Sequence, residues 1–200
     1  MLTALFVCSL SDDLFGNQYN FLVGVDLGGR RIIKKKMMMD MAIGDFDSVN
    51  PQELEKIKQN AKHVVVLKQQ KDDSDSEAAV KLWIDCVDKI VMIGALGGRL
   101  DHQYVNLQLM FQHPKIHLMD HKNHMFIAQT SLMIERDDYT YLSLFALEFS
   151  VISLDKVKYP LNNQSLLPTD RYTLSNEFLN EPAQLEIKQG KLLIIKSKDK

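Results

Sequence analysis

The chain has 200 residues, 46% hydrophobic and 25% charged, enough to bury a core in one large domain or two small ones and too apolar for a disordered or fibrous chain. Its 24 basic and 26 acidic residues leave a formal charge of −2, which gives no general electrostatic claim on nucleic acid. Cys8 and Cys86 make neither a CxxC pair nor a disulfide framework; they read as small buried hydrophobes, and reduced thiols fit a cytoplasmic protein.

Met1 to Leu10 is apolar, but no basic residue precedes it and Ser11-Asp12-Asp13 follow. It reads as a buried first strand, Ala4 to Cys8, and not as a secretory signal. Phe21 to Val25 is a second strand, leading into the glycine turn Val25-Asp26-Leu27-Gly28-Gly29. The run Lys34-Lys35-Lys36-Met37-Met38-Met39 reads as a solvated helix end followed by core methionines, since no aromatic residues accompany the lysines. Met41-Ala42-Ile43 precedes Gly44-Asp45-Phe46-Asp47-Ser48. Pro51 to Asn60 is a helix, with Pro near its start and Glu53 and Glu55 at the positive end of its dipole. His63 to Leu67 is a strand, Ser76 to Val87 a helix with Ala79, Leu82, Trp83 and Cys86 at helical spacing, and Ile90 to Ile93 a buried strand. Gly94 to Gly98 is a turn, Asp101 to Phe111 a helix, and Ile116 to Met119 a last short strand.

After about Asp120 the pattern changes to short strands: Phe126 to Gln129, Leu132 to Glu135, Tyr141 to Leu147, Val151 to Leu154, Gln184 to Lys188 and Leu192 to Lys196. Lys188-Gln189-Gly190-Lys191 is a hairpin turn, and Asn162-Asn163 with Pro168 marks a loop. The most apolar stretch, Tyr139 to Leu154, is interrupted by Glu148 and falls short of the roughly 20 apolar residues of a membrane span. The expected architecture is an α/β N-terminal domain with a mainly parallel sheet, residues 1–125, followed by a small all-β sandwich domain, residues 126–200.

Four acidic or glycine-rich turns follow four successive strands. Asp45 and Asp47 alternate after a strand, so both carboxylates face one side while Phe46 turns back into the core; such a pair is a Mg²⁺ site or an ordinary acidic turn. Lys71-Asp72-Asp73-Ser74-Asp75-Ser76-Glu77 leads into a helix; a capping Ser74 or Asp75 explains one or two of the acids, and a lysine among carboxylates suits a Mg²⁺–polyphosphate complex. Gly94-Ala95-Leu96-Gly97-Gly98-Arg99-Leu100-Asp101-His102 brings backbone close to a phosphate without matching a P-loop or a dinucleotide fingerprint. Asp26 binds a nucleotide or caps the next helix. Together the four turns describe a site for a metal-bound polyphosphate, hence phosphoryl or pyrophosphoryl transfer. His113, His117, His121 and His124 have near-helical spacing, but Pro114 and the strand at Ile116 deny them a common face for zinc; His102 is the histidine placed near the site.

These motifs resemble, in order and over nearly the whole chain, the thiamine pyrophosphokinase (thiamine diphosphokinase) family, and Ser175-Asn176-Glu177-Phe178 extends the resemblance into the second domain. It implies an α/β catalytic, ATP-binding domain and a β-sandwich thiamine-binding domain, working as a homodimer. It implies Mg²⁺-dependent transfer of pyrophosphate from ATP, the co-substrate, to the thiamine hydroxyl, with AMP leaving. By the same resemblance Asp45, Asp47 and Asp75 hold Mg²⁺. Lys71, Asp72 and Ser74 line the polyphosphate, and Arg99 and Asp101 complete the nucleotide side with Asp26, Gly97, Gly98 and His102. Ser175, Asn176 and Asn106 fall on the thiamine side, and Asp72 or Asp101 takes the hydroxyl proton. The sequence departs from the family's pattern at Asp26-Leu27-Gly28-Gly29, where many relatives have Asp-Gly-Gly, in the glycine- and proline-free link Lys34 to Asp40, and at Ser74, where Thr is common. Competing readings are a thiamine-binding module without turnover, a diphosphokinase with another hydroxymethyl acceptor, and a nucleic-acid binder using Lys34 to Lys36. The first needs a lost metal-binding carboxylate, the second does not account for Ser175 to Phe178, and the third leaves the acidic turns unexplained. No membrane or nucleic-acid partner is expected.

Overall fold

The computed structural model describes residues 1–9 and 18–199, so Ser11-Asp12-Asp13 lie outside the described residues. Two compact units are present, Met1–Asp120 and His121–Lys200.

In the first unit β1 (Thr3–Val7), β2 (Phe21–Val25), α1 (Leu27–Lys34), β3 (Met39–Gly44), α2 (Pro51–Gln59), β4 (Ala61–Val66), α3 (Asp75–Trp83), β5 (Lys89–Ile93), α4 (Leu100–Gln112) and β6 (Ile116–Met119) follow one another. Every strand pairing among these is parallel, in the order β6-β5-β1-β2-β3-β4. A parallel sheet is covered on both faces, which is why TALFV of β1 and KIVMI of β5 are almost continuously apolar and almost wholly buried. The edge strand β4 instead carries exposed Lys62 and His63, which discourage further pairing. From β1 the chain builds outward through β2, β3 and β4, then returns to the other side of β1 with β5. The crevice where strand order reverses therefore opens at the carboxyl ends of β1 and β5, the usual place for a ligand in an open α/β sheet. Gly28 is needed at the start of α1: a Cβ there would lie 1.7 Å from the carbonyl oxygen of Val7, so α1 can approach the end of β1 only with glycine. Asn50 caps α2 reciprocally with Glu53, as the Asn-Pro start suggests.

Three details differ from the sequence reading. The helix expected over Ser76 to Val87 ends at Trp83, whose ring packs on Phe21 and Phe6. The chain then turns, with Cys86 N–H donating to Trp83 O, to bring buried Val87 toward β5. Cys86 thus lies beyond the helix and is exposed, while Cys8 is buried as expected. Of the three methionines before β3, Met39 is buried but Met38 is exposed, because successive residues there point to opposite sides.

The second unit contains β7 (Asn123–Ala128), β8 (Leu132–Ile134), β9 (Tyr141–Ala146), β10 (Ser150–Asp155), β11 (Leu161–Leu166), β12 (Asn176–Glu177), β13 (Ala183–Gln189) and β14 (Leu192–Ser197). All its pairings are antiparallel, in two layers, β12-β9-β14-β7 and β11-β10-β13-β8. Leu142, Leu144, Leu192 and Ile194 of one layer share a buried core with Ile152, Leu154, Ala183 and Leu185 of the other, a sandwich held by alternate inward residues. Gly190, at φ +103°, closes the β13–β14 hairpin. Asn162-Asn163 is not a loop: both residues lie in β11, an edge strand paired with β10. Asn163, at φ +49°, sits where the β10–β11 register shifts, so a turn-forming residue here makes a bulge inside a strand. No helix among the described residues is long and apolar enough to cross a membrane.

Candidate active site

The acidic residues converge because three strands end side by side. Asp26 follows β2 and takes φ +49°, with its N–H donating to Ile43 O of β3 at 2.8 Å. It stands at the cap position of α1, yet its side chain makes no capping bond. Among the described residues its buried Oδ1 has no hydrogen-bond partner, which leaves the carboxylate for the cleft. Gly44 permits this approach, since a Cβ there would sit 2.9 Å from the Cα of Asp26. Beyond it Phe46 adopts φ +55° and buries its ring, so Asp45 and Asp47 turn the other way, as the alternation predicts. Carboxylate oxygens of Asp26, Asp45 and Asp47 lie within 4.8 Å of one another.

Lys71 bridges the next pair. Its Nζ is 2.9 Å from Asp45 Oδ2 and 3.1 Å from Asp75 Oδ1. Burial alone would raise Asp45, but the Lys71 hydrogen bond and the N–H of Asp47 hold it below the usual carboxylate range. Lys71 is raised: burial opposes its charge, and the two carboxylates outweigh burial. Asp26, without a cation of its own, is raised by burial and then by Asp75, Asp45 and Asp47. The four carboxylates and one ammonium leave net negative charge in the crevice. The sequence reading grouped Asp75 with Asp45 and Asp47; the structure groups Asp26 with them and places Asp75 across Lys71.

Ser74 caps α3, accepting from Glu77 N–H at 3.2 Å. Asp72 is exposed and does not line the cleft, because the turn points it outward; Asp73 lines it instead, tied to Lys81 at 2.7 Å. After β5, Gly94, Gly97 and Gly98 all have positive φ, near 70°, 86° and 70°, a path that glycine follows without strain. Gly97 N–H donates to Gln103 Oε1 at 3.0 Å, and buried Asn106 donates to Ala95 O at 2.9 Å. Asn106 therefore braces the glycine turn of the first unit; Ser175 and Asn176 belong to the second. Arg99 and Asp101 form a two-point ion pair at 2.6 and 3.1 Å on the exposed start of α4. Arg99's hydrogen bonds bring the Asp101 carboxyl down to about 2.

That value gives a direct prediction. The pair's contribution to stability is fully present above the ordinary carboxyl value of 3.8 and is lost as pH falls through about 2. Carboxyl-detected NMR should show Asp101 titrating near 2, and Arg99→Ala should return it toward 3.8. A wild-type midpoint at the ordinary value would show that the pair does not persist in solution.

These residues enclose a cavity of about 410 Å³, lined among others by Asp26, Asp45, Lys71, Ser74, Asp75 and Asp101. A second, of about 320 Å³, runs along Gly94, Gly97 and Arg99 and shares Cys8, Ser76, His102 and Asn106 with the first. The two form one cleft with an acidic end and a glycine-rich end. Asp47 and Gly98 stand outside both linings, on the exposed rim. Burial pushes the Cys8 thiol up to about 12, so it is wall and not nucleophile. Asp73 and Gln103 were not singled out from the sequence, and Cys8 was read there only as a buried hydrophobe. Asp73 is one of four acids in a single run, and nothing in spacing points Gln103 at Gly97.

The second unit has a cavity of about 250 Å³, lined by Tyr159, Leu161, Tyr172, Thr173, Leu174 and Asn176 with Leu144 and Leu154 at its base. Thr173 donates its hydroxyl to Leu144 O. Ser175 is exposed, at φ +55°, and its N–H donates to Ser143 Oγ at 2.9 Å. Asn176 beside it is buried.

Comparison with known proteins gives one answer for both units. Residues 13–119 match the family model described as thiamin pyrophosphokinase, catalytic domain, and residues 129–192 match thiamin pyrophosphokinase, vitamin B1 binding domain. The chain is 30% identical to thiamine pyrophosphokinase of Bacillus subtilis (strain 168) over 202 residues, covering 96% of this chain and 94% of the relative. The crystal structure of the Bacillus subtilis thiamine pyrophosphokinase superposes with a TM-score of 0.88 at 28% identity, covering 99% of this chain and 100% of that one. A thiamin pyrophosphokinase family protein from Enterococcus faecalis gives 0.87 at 27% identity, with both chains covered in full. The enzyme of Candida albicans, at 15% identity and a TM-score of 0.75 over 98% of this chain and 89% of that one, shares the fold.

Proposed function

The chain belongs to the thiamin pyrophosphokinase family, and from that premise we propose how its own residues carry the reaction. It is a thiamine diphosphokinase, with ATP as co-substrate and thiamine diphosphate and AMP as products. The observation that carries the assignment to this cleft is the meeting of Asp26, Asp45 and Asp47, with Lys71 beside them, at the mouth of a parallel sheet.

The thiamine hydroxyl oxygen bonds to the β-phosphorus of ATP as the bond from that phosphorus to the oxygen bridging the α-phosphorus breaks, and AMP leaves with that oxygen. Such a transition state is loose, so positioning and charge supply most of the rate and the hydroxyl proton passes late, to water. Asp72, turned out of the cleft, and Asp101, held ionised by Arg99, are poorly placed to take that proton early. Asp101 instead aims Arg99 at the nucleotide. Lys71 exchanges its carboxylates for phosphate oxygens, and the Ser74 hydroxyl hydrogen is free to follow. The glycine turn, its Gly97 N–H held by Gln103, brings the N-terminus of α4 beside the rest of the polyphosphate, and His102 closes the nucleotide side.

Three carboxylates, one with a buried oxygen that has no partner among the described residues, make a hard-oxygen set that fits Mg²⁺. Asp26, Asp45 and Asp47 would hold it, with Asp75 engaged by Lys71. Bound there, Mg²⁺ offsets negative charge on the phosphate oxygens. The cavity of the second unit is the acceptor's, and the exposed Tyr159, Tyr172 and Leu174 that line it support a homodimer that covers this rim. A cytoplasmic location accords with two free cysteines.

The test is AMP release from ATP with and without thiamine, with thiamine diphosphate measured in parallel. AMP that depends on thiamine and equals thiamine diphosphate is the expected result. Thiamine binding without AMP would replace the enzyme by a binding module. AMP with another hydroxymethyl acceptor but not with thiamine would move the acceptor assignment.

A further inference from the structure

Asn176 lines the second unit's cavity, yet its side chain is spent on the protein's own backbone. Oδ1 accepts from Tyr159 N–H at 3.0 Å and from Glu177 N–H at 2.9 Å, and Nδ2 donates to Tyr159 O at 2.8 Å. Both acceptor positions of the oxygen and one of the two amide hydrogens are used. The reason lies in strand pairing. Residues 157–159 run antiparallel to residues 176–178: Val157 bridges Phe178, and Lys158 N–H donates to Glu177 O at 3.0 Å. The backbone of Asn176 is already paired with Leu142 of β9, so its carboxamide stands in for a peptide group and completes the ladder to Tyr159.

The consequence falls on the Tyr159 ring. Tyr159 is exposed and forms one wall of the cavity. Its neighbour Lys158 is fixed in turn by Glu177, at 2.6 Å, with the ammonium 5.5 Å from the Tyr159 ring centre. Two consecutive residues of β12 therefore pin two consecutive residues of the facing segment, and the backbone that carries the ring is held in place before any ligand arrives.

On the reading of this cavity as the acceptor's, we propose that Asn176 is a positioning residue that acts through Tyr159, and that Tyr159 is the residue whose ring meets the acceptor and sets its selection. This reassigns Asn176, which the family resemblance placed in contact with thiamine. An aromatic wall suits a flat, cationic heteroaromatic acceptor, since the ring face attracts positive charge.

The test is a double-mutant cycle on the full chain, read as KM for thiamine, KM for ATP and kcat. Tyr159→Ala should raise the thiamine KM about tenfold, with ATP KM and kcat unchanged, as for a lost binding contact. Asn176→Ala removes all three bonds. Asn176→Asp keeps the two accepting bonds but sets a carboxylate oxygen against Tyr159 O, which repels it, so it displaces Tyr159 at unchanged side-chain volume, with folding checked by circular dichroism. Either should raise the thiamine KM, and neither should raise it further once Tyr159 is alanine. Independent losses, about a hundredfold combined, would show that Asn176 reaches the acceptor through its remaining hydrogen and would overturn the proposal. So would an unchanged thiamine KM in Tyr159→Ala. A wild-type chain without thiamine-dependent AMP release would instead sink the functional reading, and the proposal with it.

Discussion

Asp47→Ala lowers thiamine-dependent AMP release on the order of a thousandfold, the range seen when one pre-aligned electrostatic group is removed from a site of this kind, while the urea midpoint of unfolding stays put or rises. The two signs separate a chemical role from a structural one. Asp47 is exposed and accepts a hydrogen bond from its neighbour Ser48 at 3.0 Å, so its loss opens no cavity. Its charge lies within 4.8 Å of the carboxylates of Asp26 and Asp45, and like charges at that distance repel. The Asp26 carboxyl is raised first by burial, and Asp75, Asp45 and last Asp47 add to it. A carboxyl raised in the folded state makes stability fall as pH climbs from its ordinary value through the raised one. Taking Asp47 away relieves its share of that cost, so at neutral pH the variant is at least as stable as the parent. Asp45→Ala is a poorer probe, because it also strands Lys71 with a single carboxylate. Initial rates of AMP formation at saturating ATP, together with urea unfolding, check both halves. A loss below tenfold would remove Asp47 from the reacting centre, and a large drop in stability would make it a structural residue.

The parallel strands of the first unit were legible because burial on both faces leaves apolar runs that polar helices interrupt. Phe46 was legible for the same reason: one aromatic between two aspartates has a single sensible direction. Edges were harder. Asn162 and Asn163 have turn chemistry, and β11 absorbs it as a bulge: β10 pairs with Leu161 and Gln164 on either side of them, so the strand runs on through a local turn preference. Cys86 fits a helical face on paper, but the chain must leave the helix at Trp83 to enter β5. At the site, residue type was readable and partner was not. Four acids in one run cannot show that Asp73 lines the cleft and Asp72 does not. Asn106 and Asn176 both carry motif character, and both turn their amides on backbone carbonyls that sequence spacing does not reveal. Asp26 was seen as a nucleotide contact or a cap; its orphaned oxygen beside Asp45 appears only when β2 and β3 stand next to each other.

Lys71→Met separates two roles that the wild-type chain combines. The ammonium lies between Asp45 and Asp75, where it offsets acidic charge before any substrate binds. Methionine keeps most of the aliphatic stem and removes the charge. With ATP and thiamine present, the variant lacks a donor for the polyphosphate, and thiamine-dependent AMP release should fall about a hundredfold, as for the loss of one charged hydrogen-bonding group. Without nucleotide the sign reverses. The acidic cluster has lost its internal counter-ion, so its attraction for an added divalent cation grows. A unit charge a few ångströms away, screened as near a protein surface, is worth at least about tenfold in affinity. Titration of the nucleotide-free protein with Mn²⁺, followed by the loss of the free-ion electron paramagnetic resonance signal, should therefore show tighter binding in Lys71→Met than in the parent, and weaker binding in Asp47→Ala. Equal Mn²⁺ affinity in the parent and Lys71→Met would mean that Lys71 does not offset the proposed cation's charge. Full activity in Lys71→Met would mean that it does not touch the polyphosphate. The two readouts move in opposite directions only if one ammonium serves as counter-ion in the empty cleft and as phosphate donor in the filled one.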